Sequence, residues 1–596
     1  MSIFTKIPIK RPKLTLFQLN NSVKGTTQFG YEMPLRCEKV VPGDIANIQL
    51  AHRLDTAPLS TKLLQEFRNK TETFYVPTRI LWKQFEEFFV AEDTSIIHPY
   101  FDTFQTFMHF RSLCSSLFTN YNSGTVATTI QMAAFGPKSL LHSIYGFVYP
   151  YTTRQDNSLR LDFLKIFAYY FVMREYYLDE NLQEVYINAL DPEILKANYE
   201  ANAGDMSYYM AFLLFLPLAM AYDIPIVDNI DYDLKDKTMP FVQSVHPYYL
   251  RGFMLRNYPK DYFTSALPWK QKGNIVMLPT SSQSEVQFYV QNDVVTSDGT
   301  QGANHLLRFQ NNSAAPAFAG YKGVNLIAHG MNNEDNGYIK TLTGIGHGVT
   351  SVEDFMTAYE LQRWLEKNAR GGTRYKEQIL SHFGVKTKDS RLDRPEFICG
   401  TTDVINLSNV HTTFQDEEGS GVPGESVTVL NGYGRSKNVS YRVTEHGYIF
   451  TIACTFPKAS YNQGVFRQGL ELDKFDYFWP EFEHLGEQEI LNCELAPSSD
   501  PMLVFGYTPR YAQYKSRQNE VRGEFATDLL TFTDSRILPV GTALNSQFIQ
   551  IDAVRNNLNR IFNVVNADYD KIYYDYYVNY NFLRPMSYFG QPRLVL

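Results

Sequence analysis

A mainly β framework, closed by its first and last segments, is the fold class this sequence predicts. Short alternating stretches with turn punctuation recur near the start, at residues 40–44, 45–50 and 72–77. The same texture returns after residue 400, at 427–430, 448–453 and 502–505. Helical and irregular segments lie between, so strands from the two ends must meet to bury a common face. At about 150 residues per domain, 596 residues allow roughly four domains. One large β domain swollen by insertions fits the same length.

Taken in order, residues 1–31 carry Lys6, Lys10, Arg11, Lys13 and Lys24 with no acid before Glu32. They form a basic arm in a chain of net charge −8, although a solvated tail has the same composition. Residues 81–89 place apolar side chains at 81, 82, 85, 88 and 89, the spacing of an amphipathic helix. A longer packing helix is predicted over 161–181, with Leu164, Phe167, Ala168, Phe171, Val172 and Tyr176 on one face. Residues 182–250 and 279–341 have no clear period, and the second is rich in Asn, Gly, Ser and Thr. Stretches of that kind are functional insertions or loops. After Gly344, Gly346 and Gly348 a helix opens with Thr350 and Glu353 in capping-box register and runs to about Asn368.

Composition narrows the function. The chain is 44% hydrophobic, which excludes disorder, and 55 Lys and Arg against 63 Asp and Glu exclude a uniformly basic protein. Charge is segregated: residues 471–500 hold nine acids and one base, and residues 363–394 hold nine bases and four acids. Segregation lets one face meet a polyanion and others meet protein partners. The aromatic load, 43 Phe, 41 Tyr and 4 Trp, exceeds what one compact core uses, and extended interfaces are an outlet. Cys37, Cys114, Cys399, Cys454 and Cys493 are odd in number and lack CxxC spacing, which fits a reducing cytoplasm. The first residues lack an apolar h-region, so no secretory signal is expected there. The uncharged run between Asp205 and Asp223 contains Pro217 and is too short to predict a membrane span.

Catalytic motifs do not emerge. The chain contains no GxSxG, no GxxxxGK followed by Ser or Thr, and no HExxH. The glycines at 344–348 have GxGxG spacing and lack the flanking βαβ pattern of a dinucleotide loop. Glu481 and His484 have ExxH spacing, but di-metal chemistry needs a second copy and two further carboxylates. No catalytic residue, cofactor or metal ligand is therefore expected. Two function classes remain: a structural assembly subunit, and an aromatic-rich carbohydrate-binding protein or glycoside hydrolase. The second would use Tyr and Trp platforms with paired carboxylates, yet no pair stands out.

Longer segments carry a resemblance. They are Val41-Pro42-Gly43-Asp44, Phe74-Tyr75-Val76-Pro77-Thr78-Arg79-Ile80-Leu81-Trp82, and Asp261-Tyr262-Phe263-Thr264-Ser265-Ala266-Leu267-Pro268-Trp269 with Gln271-Lys272-Gly273. The strongest is Ala369-Arg370-Gly371-Gly372-Thr373-Arg374-Tyr375, continuing through His382-Phe383-Gly384-Val385 to Arg394-Pro395-Glu396. Tyr477-Phe478-Trp479-Pro480, Phe505-Gly506-Tyr507 and Arg584-Pro585-Met586 follow. In this order, across nearly the whole chain, they resemble the major capsid proteins of the Microviridae, particularly gokushovirus-like members. Departures lie in 182–250, which looks longer than usual, and at Cys399, where Gly is expected.

The resemblance implies an eight-stranded antiparallel jelly roll with long insertions containing helices and loops. It implies a T=1 icosahedral shell of copies of this chain around circular single-stranded DNA, in a virion assembled in the host bacterial cytoplasm. Minor virion proteins and a host-cell surface receptor are the further partners, without membrane insertion. On this reading residues 1–31 are an interior-facing arm whose Lys6, Lys10, Arg11, Lys13 and Lys24 neutralise DNA. Residues 32–596 are one jelly-roll domain with insertions at 182–250 and 279–341, the latter favoured as a threefold protrusion.

Overall fold

The computed structural model describes residues 13–90, 96–118, 124–227, 230–234, 247–273, 288–290, 305–307, 339–341, 352–372, 374–411, 426–564 and 569–588. Two compact units divide the chain: residues 1–270 with 371–596, and residues 271–370.

The first unit is built on a ten-stranded antiparallel sheet. Its strands are β1 (Thr15–Gln18), β2 (Asn21–Thr27), β3 (Met33–Val40), β4 (Ile45–Thr56), β5 (Phe67–Pro77), β6 (Glu396–His411), β7 (Ser426–Arg435), β8 (Val439–Arg442), β9 (Gly447–Pro457) and β10 (Ile572–Arg584). They run in the order β1-β10-β4-β7-β6-β5-β9-β3, with β2 also on β10 and β8 also on β4. First and last segments do close the framework, since β10 pairs β1, β2 and β4. Three pairings are nested in the chain: β3 with β9, β4 with β7, and β5 with β6.

Period-two burial fixes the faces. In β4, residues 46, 48, 50, 52, 54 and 56 are buried while the alternate side chains point outward, as a strand with one wet face requires. The sheet curls until its ends approach. Arg36 of β3 donates to the Leu19 carbonyl and, at 2.8 Å, to Asn21, and its guanidinium lies 4.8 Å from the Tyr580 ring of β10. On the inside, the Tyr580 hydroxyl meets Thr451 of β9. β9 is buried at every position because both its faces are covered. Thr451 bonds Thr73 of β5 at 2.9 Å on one face, and the Tyr448 hydroxyl donates to Asp162 at 2.7 Å on the other.

Asp162 is also the cap of a core helix. The longer helices of this unit are α1 (Thr103–Leu117), α2 (Gly124–Phe135), α3 (Phe163–Tyr176) and α4 (Ser207–Tyr222). Asp162 accepts from the Leu164 N–H at 3.0 Å and so satisfies one of the free donors that open α3. The predicted helix over 161–181 is thus present but shorter, and it is buried on nearly every side rather than on one face. Its Tyr169 and Tyr170 hydroxyls donate to the Glu32 and Gly252 carbonyls at 2.7 and 3.0 Å. Between 182 and 250, where no period was expected, lie helices Glu184–Ala189 and Pro192–Ala201 as well as α4. α4 is buried continuously from Tyr209 to Ala221. A helix apolar all round has no amphipathic signature, which is why the sequence pattern conceals it. Among the described residues no helix is long and apolar enough to cross a membrane.

Residues 81–89 do not form one helix. They fall into Thr78–Leu81 and Phe85–Val90, separated by Trp82, which is extended and buried. The strand expected at 502–505 begins only at Val504 and pairs as Val504–Pro509 with Glu487–Leu491. All five cysteines are free thiols.

In the second unit, Phe288–Val290 is the centre of a three-stranded antiparallel sheet with His305–Leu307 and Ile339–Thr341. A helix, Val352–Gly371, matches the one expected from 350 to 368, although Thr350 lies outside the described residues. Most of 279–341 also lies outside them.

Candidate nucleic-acid and assembly surfaces

Of the five basic residues singled out in the arm, Lys6, Lys10 and Arg11 lie outside the described residues. Lys13 is exposed immediately before β1, and Lys24 is exposed on β2, 3.5 Å from Asp575. Residues 15–18 and 21–27 are strands in register with β10, so this part of the arm is stitched to the sheet.

The outward face beside those strands is distinctive. On β10, Tyr573, Asp575 and Tyr577 alternate with buried Ile572, Tyr576 and Val578. Pairing aligns Lys24, Asp575, Arg53 and Tyr433 in one row across β2, β10, β4 and β7. Ser22, Tyr577, Ala51 and Arg435 form the next row, and Thr26, Tyr573, Asp55 and Asn431 the row on the other side. The Arg53 guanidinium lies 5.9 Å from the Tyr433 ring and bonds Asp55 at 2.8 Å, which raises its pKa further. Tyr433 is well exposed and Tyr573 and Tyr577 nearly half so, with Lys24, Arg53 and Arg435 among them, the first two beside Asp575 and Asp55. Flat aromatic rings with interspersed cations stack bases and pair phosphates. Only the period-two pattern of 572–584 signals this face in the sequence; which strands flank it does not follow from local pattern.

The basic segment 363–394 is partly spent inside the subunit. Arg374 pairs with Glu180 at 2.6 Å, Arg394 with Glu175 at 2.7 Å, and Lys376 with Asp389. These partners are intramolecular. Lys386, Lys388 and Arg391 remain exposed.

The acidic segment and the cavity beside it offer no catalytic pair. A polar cavity of about 220 Å³ is lined by Lys270, Arg467, Glu471, Glu489 and Arg510 among others. Glu489 is held by Lys270 at 2.8 Å, and Glu471 accepts from Gln513 and Tyr514 at 3.0 and 2.7 Å. Glu481 and His484 are both exposed, Glu481 within a short 3-10 turn. Among the described residues, no group of three or more His, Cys, Asp or Glu side chains is placed to hold a metal.

Buried ionic contacts serve the fold instead. Arg256 reaches Glu32 at 2.8 Å and Glu72 at 3.5 Å, with its guanidinium 4.9 Å from the Phe456 ring. Burial pushes the Glu32 carboxyl up to about 7 against the pull of Arg256. The distinctive chemistry of the described residues thus lies on exposed surfaces backed by the curled sheet, an arrangement suited to a protein that works through contacts.

Sequence comparison agrees with that class. The chain belongs to the phage capsid protein (F protein) family, whose model matches residues 5–594. It is 25% identical over 655 residues to capsid protein VP1 of Chlamydia phage 1, covering 99% of this chain and 97% of that protein. Capsid protein VP1 of Bdellovibrio phage phiMH2K is 25% identical over 609 residues, with the same coverage. That of Spiroplasma virus 4 is 24% identical over 518 residues, covering 83% of this chain and 79% of the relative. The resemblance to Microviridae capsid proteins holds, and the carbohydrate-active enzyme reading falls away.

Proposed function

We propose that this capsid protein assembles as a T=1 icosahedral shell around circular single-stranded DNA, with the basic arm on the inside. The observation that carries the reading is the continuity of the arm with the sheet. Lys13 leads directly into β1, and the exposed face of the same sheet presents Tyr433, Tyr573 and Tyr577 with Lys24, Arg53 and Arg435. Cations neutralise phosphates without regard to sequence, and each stacked base adds about 1–3 kcal/mol.

The fold behind this function is an eight-stranded jelly roll. Nested pairing of β3 with β9, β4 with β7 and β5 with β6 supports it, since a jelly roll pairs its first strand with its last and proceeds inward. The fourth pair belongs to the long stretch between β5 and β6. Residues 279–341 form the threefold protrusion that presents the particle to a host receptor; their place in a separate compact unit supports this, whereas 182–250 buries α4 in a core. Minor virion proteins complete the particle, which assembles in the host bacterial cytoplasm.

Replacing Lys6, Lys10, Arg11 and Lys13 with Glu lowers packaged DNA per particle and leaves the unfolding midpoint of the subunit unchanged. Full packaging by that variant would sink the assignment of the arm.

A further inference from the structure

Two exposed surfaces of the first unit have complementary chemistry. One is the segment 472–485. Leu472 is 90% exposed, and Phe475, Tyr477, Phe478, Trp479 and Leu485 are each about half exposed or more. So many neighbouring apolar side chains exceed the scattered exposure of an ordinary surface. The segment is also preorganised. Asp476 accepts from the Leu472 and Asp473 N–H groups at 3.0 and 2.9 Å, and the Trp479 indole donates to the Lys474 carbonyl at 2.7 Å. Phe478 sits edge-on to Tyr511 with centroids 5.0 Å apart.

The other surface is helix Tyr375–Phe383 and the turn after it. No residue of this helix is buried. Phe383 is 78% exposed at its C-terminus, followed by Gly384 in the left-handed region and exposed Val385. Tyr375 and Leu380 are exposed as well.

Internal pairing leaves the two surfaces with opposite net charge. On the helix side, Asp389 is taken by Lys376, and Asp393 by Arg79 at 3.1 Å. Among the described residues this leaves Lys386, Lys388 and Arg391 without an ion pair. On the aromatic side, Lys515 is taken by Glu483 at 3.2 Å, and Lys474 lies 4.8 Å from the Phe475 ring. Among the described residues Asp473, Asp476 and Glu481 have no ion pair, so with Lys474 the surface keeps a net negative charge. An apolar surface of net negative charge and an apolar surface with three exposed cations are thus carried by one chain.

We propose that the 472–485 surface of one copy docks on the 375–391 surface of a second copy, forming a heterologous contact of the shell. Both halves of the match are on this chain, which makes a second copy the fitting occupant. Two different patches meeting head to tail generate rings when the rotation closes, as fivefold and threefold axes require. Trp479, Tyr477 and Phe383 are of the side-chain types that dominate interface energetics, and the opposed charges set register. The contact rests on the shell reading above.

Charge exchange in the full-length chain, followed by sedimentation velocity, tests it. Lys386→Glu with Lys388→Glu lowers the particle fraction roughly tenfold or more, as does Asp473→Lys with Glu481→Lys, while circular dichroism and the unfolding midpoint stay at wild-type values. Combining all four substitutions restores particles, and Phe383→Ser in the wild-type background depletes them. Undiminished assembly of either two-residue variant, or no recovery in the folded four-residue variant, overturns the contact. A wild-type chain that forms no particles overturns the shell reading itself, so the two failures are distinct.

Discussion

The Tyr576 hydroxyl donates to Asn69 Oδ1 at 2.9 Å across the inside of the curled sheet, joining β10 to β5. The same oxygen also accepts from Thr455 of β9 at 3.4 Å. These residues are far apart in sequence, so the contact exists only when the two ends of the chain are docked. Tyr576→Phe removes the donor and keeps the ring, and Thr455 still serves Asn69. The expected loss is about 1 kcal/mol of subunit stability, measured by equilibrium urea unfolding. An unchanged midpoint would show that the bond contributes nothing net.

Arg256 has a larger effect. Its guanidinium neutralises Glu32 and Glu72 beneath Tyr177 and Phe456, where water does not screen the charges. Arg256→Met fills much of the volume and leaves Glu32 without its cation, while Glu72 keeps Lys70 at 2.8 Å. Breaking a buried pair from one side costs about 3–5 kcal/mol, enough to deplete folded subunit at 37 °C. Soluble yield and thermal unfolding check this, and a loss below about 1 kcal/mol would contradict it.

Two glycines separate backbone conformation from close approach. Gly30 has φ +84°, and a Cβ there would stand 2.1 Å from the Ile551 carbonyl oxygen. Its N–H and carbonyl are both engaged, with the Thr455 carbonyl at 2.9 Å and the Arg256 N–H at 2.8 Å, so the turn cannot shift freely. Gly541 has φ +78° with nothing near its Cβ position. Alanine at Gly541 costs about 1 kcal/mol, whereas at Gly30 it costs several, because a backbone collision adds to the conformational term. Equal losses in denaturant unfolding would refute the distinction.

Legibility in the sequence followed locality. Strands β5 and β9 and helix α3 declare themselves through short apolar runs and a 3.6 period, and the family resemblance rests on contiguous motifs that the comparisons match over residues 5–594. α4 is hidden because it is apolar all round, and the segment 81–89 reads as one helix although buried Trp82 interrupts the helical spacing. Strand order was the deepest gap. Nothing local tells that Tyr577, Ala51 and Arg435 share a row, so the aromatic face emerges only from long-range pairing. Charge was legible as net segregation, but which cations are consumed, such as Arg374 on Glu180, depends on the fold.

Stability should fall as pH rises from about 4.5 to 7 through two buried carboxyls. Burial pushes Glu32 and Asp534 each up to about 7, with Arg256 and Arg560 opposing it. In the unfolded chain both groups titrate near 4, so over this window the folded state holds protons that the unfolded state has released. The unfolded state therefore binds fewer protons, and unfolding becomes easier with each step up in pH until the folded groups ionise. Each shift corresponds to on the order of 3 kcal/mol between the ends of the window. Other carboxyls, such as Asp570 beside Arg251, are shifted the opposite way, so the difference between variants is the decisive quantity. Glu32→Gln and Asp534→Asn keep the shape and remove the titration. In urea unfolding at pH 5 and pH 8, the stability lost by the wild type across the window exceeds that lost by either variant by a few kcal/mol. Parallel losses in wild type and variants would show that these carboxyls titrate normally in the folded subunit.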